Sequence, residues 1–245
     1  MRLDLATWYE VEAYLKTSSG IIVPTGSTEQ HGPMGLIGTD AICAEMIAEE
    51  AGNIAGALVA PTLAYTPAAF NMSFPGTISI SEDLFEALAT EILAGLASHG
   101  FKHIYFLNGH GANLAPLKRA ASRCEGAQIR IRSWWDFETV NLLRETYYGD
   151  WEGMHGTPSE VAITQARLRV LPPGIAADPP EKLSRDYIKQ HSGDRHGPPD
   201  EHRERFPDGR VGSHSALATP EHGQALIKAA EAAVAEDYAN FLTAG

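Results

Sequence analysis

Three short clusters along the chain carry the donor atoms that divalent cations take. The first lies in residues 20–40, G-I-I-V-P-T-G-S-T-E-Q-H-G-P-M-G-L-I-G-T-D, and holds Glu29, His31 and Asp40. In an extended segment, residues two apart point the same way, so Glu29 and His31 can share one focus. Carboxylate oxygens and imidazole nitrogens are hard and borderline ligands for divalent metals. The plainer reading makes Asp40 a helix N-cap and Glu29 and His31 solvated loop residues. The second cluster is Asn108-Gly109-His110-Gly111-Ala112-Asn113. Gly109-x-Gly111 between a strand and a helix hints at a dinucleotide-binding turn, but that fingerprint's third glycine position is occupied by Leu114. Alternatively the glycines permit close backbone packing while His110 enters a site, or His110 is a structural loop histidine. The third cluster is Met154-His155-Gly156-Thr157-Pro158-Ser159-Glu160. Pro158 suits the first turn of a helix, and Glu160 lies in that turn, where an anionic group is favoured whatever its role.

The elements that must position these residues alternate. Ile21-Ile22-Val23 has the length and β-branched content of a buried strand and feeds the first cluster. A helix is expected over 40–51, with Ile42, Met46 and Ile47 inward, and a second strand over 57–60. Ser81 caps a third segment, with Phe85, Leu88, Ile92 and Leu96 as its apolar stripe and Gly100 as its stop. A strand over 103–107 delivers the second cluster; a helix over 114–124 and a strand over 127–132 follow. Residues 1–19 read as a short amphipathic start, with Trp8, Val11, Tyr14 and Leu15 at helical spacing. The last helix has Thr219 as cap and Pro220 at its first position. Alternation of this kind argues for an α/β fold with a parallel sheet covered on both faces, and ligands outside the carboxyl ends of its strands. Residues 172–210, rich in Pro, His and charge, read as a long functional loop or interface arm. Arg195, His196, Arg203, Arg205 and Arg210 are expected to be a solvated part of that arm.

Composition narrows the classes. At 245 residues the chain fits one α/β domain, 1–245, and its 44% hydrophobic and 20% charged residues are those of a soluble globular protein. A net charge of −12 argues against a nucleic-acid partner. No apolar run approaches the roughly 20 residues of a membrane span. The start, Met1-Arg2-Leu3-Asp4, lacks a signal-peptide pattern, so a cytoplasmic location is expected. Cys43 and Cys124 read as small buried hydrophobes within helices.

Together the clusters resemble the creatininase (creatinine amidohydrolase) family. Gly26-Ser27-Thr28-Glu29-Gln30-His31-Gly32 and Gly38-Thr39-Asp40 are similar to its G-S-x-E-x-H-G and G-T-D, with the same nine-residue step from His31 to Asp40. Asn108 to Asn113 resembles its N-G-H-G-x-N, and Phe74-Pro75-Gly76-Thr77-Ile78-Ser79 its F-P-G-T-I-S. Gly209-Arg210-Val211-Gly212 and Ala218-Thr219-Pro220-Glu221-His222-Gly223 are similar to its closing pattern, so the likeness runs from about residue 20 to 230. The resemblance implies a three-layer α/β/α sandwich with a mostly parallel sheet, a homo-oligomer (often a hexamer), and two divalent ions per chain, zinc or manganese with iron as a further candidate. It makes Glu29, His31, Asp40 and His110 metal ligands, with Asp40 bridging. The family's namesake carries a glutamate two residues past the N-G-H histidine, where Ala112 stands here. Relatives lacking it carry one five residues past a later histidine, so the fifth ligand falls on Glu160, five past His155.

The activity so implied is hydrolysis of a C–N bond in a small, cyclic amide by metal-activated water. His155 is the implied proton carrier, and Trp135, Trp151 and Ser73 are candidate substrate contacts. Met154 replaces a family glutamate, which speaks against creatinine itself. Formamide or short-peptide hydrolysis is the neighbouring alternative, as is opening of a cyclic ketone. A non-catalytic, metal-stabilised ligand-binding oligomer is the alternative from another class.

Overall fold

A computed structural model of the chain describes residues 1–193 and 196–243, with Arg185 described by its backbone alone. The centre is a sheet of four parallel strands in the order β2-β1-β3-β4, formed by β1 (Gly20–Thr25), β2 (Leu58–Val59), β3 (His103–Asn108) and β4 (Gln128–Ser133). Register places Thr25 beside Asn108, and Asn108 beside Ser133, at the carboxyl edge. The loops bearing the first two clusters therefore leave the sheet side by side.

The two central strands are apolar on both faces, and the period of two sorts their side chains. Ile21, Val23, Ile104 and Phe106 point to a layer made by α1 (Trp8–Leu15), α3 (Glu82–Ser98) and α4 (Leu114–Ser122). Ile22, Tyr105 and Leu107 point to the opposite layer, made by α2 (Thr39–Ala55), α5 (Glu138–Tyr148), α6 (Pro158–Arg167) and α9 (Pro220–Thr243). The expected α/β/α layering and parallel sheet are thus observed. Each of these strand side chains is at most 1% exposed, worth about 1.5–3 kcal/mol apiece in removed apolar surface.

Several helix faces differ from the sequence expectation. On α2 the inward residues are Ala41, Cys43, Ala44, Ile47, Ala48 and Ala51, while Ile42 and Met46 are only half-buried. Small residues bring α2 close to β1, a pressure that bulk-based periodicity does not register. On α3 the buried row is Phe85, Ala89 and Leu93, one step round from the expected stripe, and Leu88 faces solvent. Trp8 is 64% exposed and stacks on Tyr9, leaving Val11, Tyr14 and Leu15 to anchor α1. Helix α5, which was not expected, buries Val140 and Tyr148 and packs Leu143 and Tyr147 against the same layer. Cys124 lies just past α4 and is half-buried; Cys43 is buried, and both are free.

The Pro- and His-rich segment carries α7 (Arg185–Gln190) and α8 (Pro199–Arg205). It docks through Ser73, whose hydroxyl donates to Asp200 and whose carbonyl accepts from Arg203. Arg203 also lies over the Phe74 ring. Arg210 corrects the expectation of a solvated arginine. It is 5% exposed, and its guanidinium donates to Asp208 and to the Ala176 and Asp178 carbonyls. Arg195 lies outside the described residues.

Candidate metal centre

The amino end of α2 is wedged between the loops that leave β1 and β3. A Cβ on Gly26 would lie 2.1 Å from Ala41 N, and one on Gly109 would lie 2.4 Å from the Asp40 carbonyl oxygen. Those glycines serve close backbone approach, which disposes of the dinucleotide-turn reading. The wedge puts Asp40, in the first turn of α2, directly between His31 and His110.

Asp40 divides its two oxygens. Oδ1 lies 2.8 Å from His31 Nε2, and Oδ2 lies 3.0 Å from His110 Nδ1 and accepts from the Ser27 hydroxyl at 2.9 Å. Glu29 Oε1 is 3.1 Å from the same His110 Nδ1. The donor atoms fall into overlapping buried groups, Glu29–Asp40–His110 and His31–Asp40–Glu160, with Glu29–His31–His155 adjoining. Asp40 is common to the first pair, so its carboxylate belongs to both groups. Glu160 is held by reciprocal capping: its Oε2 accepts from Thr157 N at 2.9 Å, and its own N–H donates to the Thr157 hydroxyl at 3.2 Å.

The far side of each imidazole decides what the near side can hold. His31 Nδ1 is 3.1 Å from the Glu29 carbonyl oxygen, and His110 Nε2 is 2.7 Å from the Pro67 carbonyl oxygen. A carbonyl only accepts, so those nitrogens carry the hydrogens. In a neutral ring the opposite nitrogen then aims a lone pair at carboxylate oxygens. That contact is repulsive unless a cation or a second proton lies between, and a backbone carbonyl behind the ring is the usual support of a metal-bound histidine. The charges agree. Burial pushes the Glu29 carboxyl up, and burial likewise pushes Glu160 up to about 7. Burial opposes ionisation of His31 and Asp40 too, yet each overrides it for the other: His31 rises to about 10 and Asp40 falls well below the carboxylate range. Three buried carboxylates facing two imidazoles form an acid-rich cluster whose charge a bound cation can balance in place of protons. The residues present fit divalent cations.

His155 stands at the rim. Its Nε2 donates to the Gln30 carbonyl at 2.6 Å, and its Nδ1 lies 3.8 Å from Glu29 Oε1. Asn71 was missed by sequence reasoning. It is fully buried, donates to Glu29 Oε2 at 2.9 Å and accepts from Gln30 Nε2 at 2.7 Å. It thereby fixes the Glu29 carboxylate.

Over the centre opens a cavity of about 180 Å³, lined by Asp40, His110, His155 and Glu160 and also by Trp134, Trp135 and Arg144. Trp135 is therefore at the cavity wall. Trp151 and Ser73 do not line the cavity: Trp151 lies under Lys182 Nζ at 4.4 Å, and Ser73 holds the arm. Trp134 and Arg144 were not anticipated. The only signal for Trp134 was its place next to Trp135, just past β4, and Arg144 lies on the unexpected α5.

Comparison with known proteins agrees with this architecture. The family model described as creatininase, creatinine amidohydrolase, matches residues 4–238. The mycofactocin precursor peptide peptidase of Mycolicibacterium smegmatis is 40% identical over 114 residues, 43% of this chain and 46% of its own, so the chain spans about half the length of that relative. The creatinine amidohydrolase of Pseudomonas putida is 26% identical over 179 residues, covering 65% of this chain and 69% of that protein. A crystal structure of creatinine amidohydrolase superposes with a TM-score of 0.83 at 20% identity, covering 100% of this chain and 98% of that one. Other similar creatininase structures are a Mn form and a Zn-Zn type. The match spans nearly the whole sequence and the fold agrees with it: the chain belongs to the creatininase family.

Proposed function

We propose that this chain is a binuclear-metal hydrolase that cleaves a C–N bond of a small amide, most simply a cyclic one. The observation that carries the reading is Asp40, whose two oxygens serve two separate donor groups, each with a histidine braced from behind by a backbone carbonyl. Glu29, Asp40 and His110 would hold one cation, and His31, Asp40 and Glu160 the other. When bound, a pair of zinc or manganese ions, or of iron, brings the pKa of water towards neutrality and polarises a carbonyl.

The chain's own groups do the rest. His155 has its Nε2–H engaged by Gln30, so Nδ1, on the Glu29 side, is the atom that takes a proton and delivers it to the leaving nitrogen. Trp134 and Trp135 line the same cavity and limit water there. Met154 also lines the cavity, adding no charge where the family's namesake has a carboxylate.

A second reading, cleavage of a short peptide, is favoured by the 40% identity to a peptide peptidase. A non-catalytic binding role is disfavoured by the complete donor set, since a binder could lose a ligand without penalty. The test is metal analysis of purified protein, followed by a turnover screen against cyclic amides, formamides and short peptides with zinc, manganese or iron added. Two ions per chain with turnover is the expected outcome. No metal, or metal with no turnover on any class, overturns the reading.

A further inference from the structure

The cavity that the candidate metal donors line also carries a guanidinium with unspent donors. Arg144 projects from α5 into the lining. Its Nε donates to Glu152 Oε1 at 2.9 Å and its Nη1 to Asn141 Oδ1 at 2.7 Å. Among the described residues nothing accepts from Nη2. The side chain is 20% exposed, and the Trp134 ring lies 5.7 Å from its Cζ, so the fork is braced by an ion pair, an amide and an aromatic face. A guanidinium carries five N–H donors, and the fixed contacts use two. Arg144 is also the only Lys or Arg among the described residues that line this cavity.

We infer that Arg144 reads a carboxylate on the substrate, so that the amide cleaved here belongs to an acid: a lactam carboxylate, an N-acyl amino acid or the free carboxyl end of a short peptide. This rests on the hydrolase reading above and narrows its substrate class. A planar fork with an open edge matches a carboxylate in two parallel hydrogen bonds, which a neutral carboxamide cannot accept equally. Glu152 does not cancel this role. It accepts from Nε and from the Ser159 hydroxyl, holding the guanidinium in place and leaving Nη2 with no acceptor among the described residues. The site then has a division of labour: the ligand cluster faces the scissile amide, and Arg144 sets its register through a group that does not react.

The test uses matched pairs of acid and carboxamide, pyroglutamate with pyroglutamamide and acetylglycine with acetylglycinamide, titrated calorimetrically into zinc-loaded protein. Each acid is expected to bind at least about tenfold more tightly than its amide. The Arg144→Met/Glu152→Gln double variant, which leaves no unpaired buried charge, is expected to abolish that preference with zinc content unchanged; Arg144→Lys should keep part of it. A preference that survives in the double variant means the metals read the carboxylate and overturns the inference, as does equal binding of acid and amide by the wild type. Failure of the wild type to take up zinc instead overturns the hydrolase reading.

Discussion

At the scale of single residues, the donor set assigns distinct tasks to groups a few ångströms apart. Asp40 is the shared one. Asp40→Asn replaces one bridging oxygen by an amide that only donates, so metal content and activity should both collapse; full activity at wild-type occupancy, measured by elemental analysis, would refute the bridging role. His155 adjoins the donors, and the proposed mechanism gives it the proton. His155→Ala should therefore keep its metals and slow turnover by roughly 100-fold or more, the usual size of general acid–base assistance; unchanged turnover removes it from the mechanism. Protons report on the same site. Glu160, raised from 4.5 to about 7, costs the metal-free fold stability as pH rises through that interval, because the unfolded chain gives up its proton first. His31, raised from 6.5 to about 10, contributes stability present below 6.5 and lost as pH climbs towards 10. Both make the metal-free protein weaker in alkali. Metals need the same groups deprotonated, so affinity should rise with pH and binding at pH 7 should release protons. Zinc calorimetry in two buffers of different ionisation heat measures that release, and a net release of zero contradicts the assignment.

At the scale of elements, the site depends on how closely one helix end approaches two strand ends. Gly109→Ala would drive a methyl into the Asp40 carbonyl and lever the first turn of α2 away from His110. The expected result is a loss of about 1–3 kcal/mol in urea unfolding, as for other overpacked sites, together with weakened zinc binding. A variant with wild-type values for both would show that the wedge is not what positions Asp40. The grouping of these donor residues was legible in the sequence because metal-binding chemistry admits few residue types and each cluster sits beside a strand or helix end. The central strands were legible too, being continuous apolar runs. The inward faces of α2 and α3 were not, since Ala41, Ala44, Ala48 and Ala89 win burial by being small, which an argument from bulk overlooks. Asn71 and Arg144 were illegible for a different reason. Their meaning comes from partners far along the chain, Glu29 for one and the cavity for the other, and no local pattern announces either.

At the scale of the molecule, the proposed cations would join parts that the cores do not. The two hydrophobic layers meet through β1 and β3, but the loops after those strands, the start of α2 and the start of α6 converge at the carboxyl edge through buried titratable groups instead of apolar packing. Metal binding should then appear as stability, because the unfolded chain has no preformed site. At a free concentration 100 times the Kd, one site contributes about 2.7 kcal/mol. For a chain of this size that corresponds to roughly 5–10 °C in Tm. Chelation verified by elemental analysis should lower Tm by that order per site lost, and zinc or manganese should restore it. Hydrogen exchange should quicken in residues 26–40, 108–113 and 155–160 of the stripped protein, while Ile21–Val23 and Ile104–Leu107, sealed between both layers, keep their protection. Stripped protein with an unchanged Tm and unchanged exchange at those loops would mean that the cluster closes on its own protons, and that the carboxyl edge needs no cation to hold its shape.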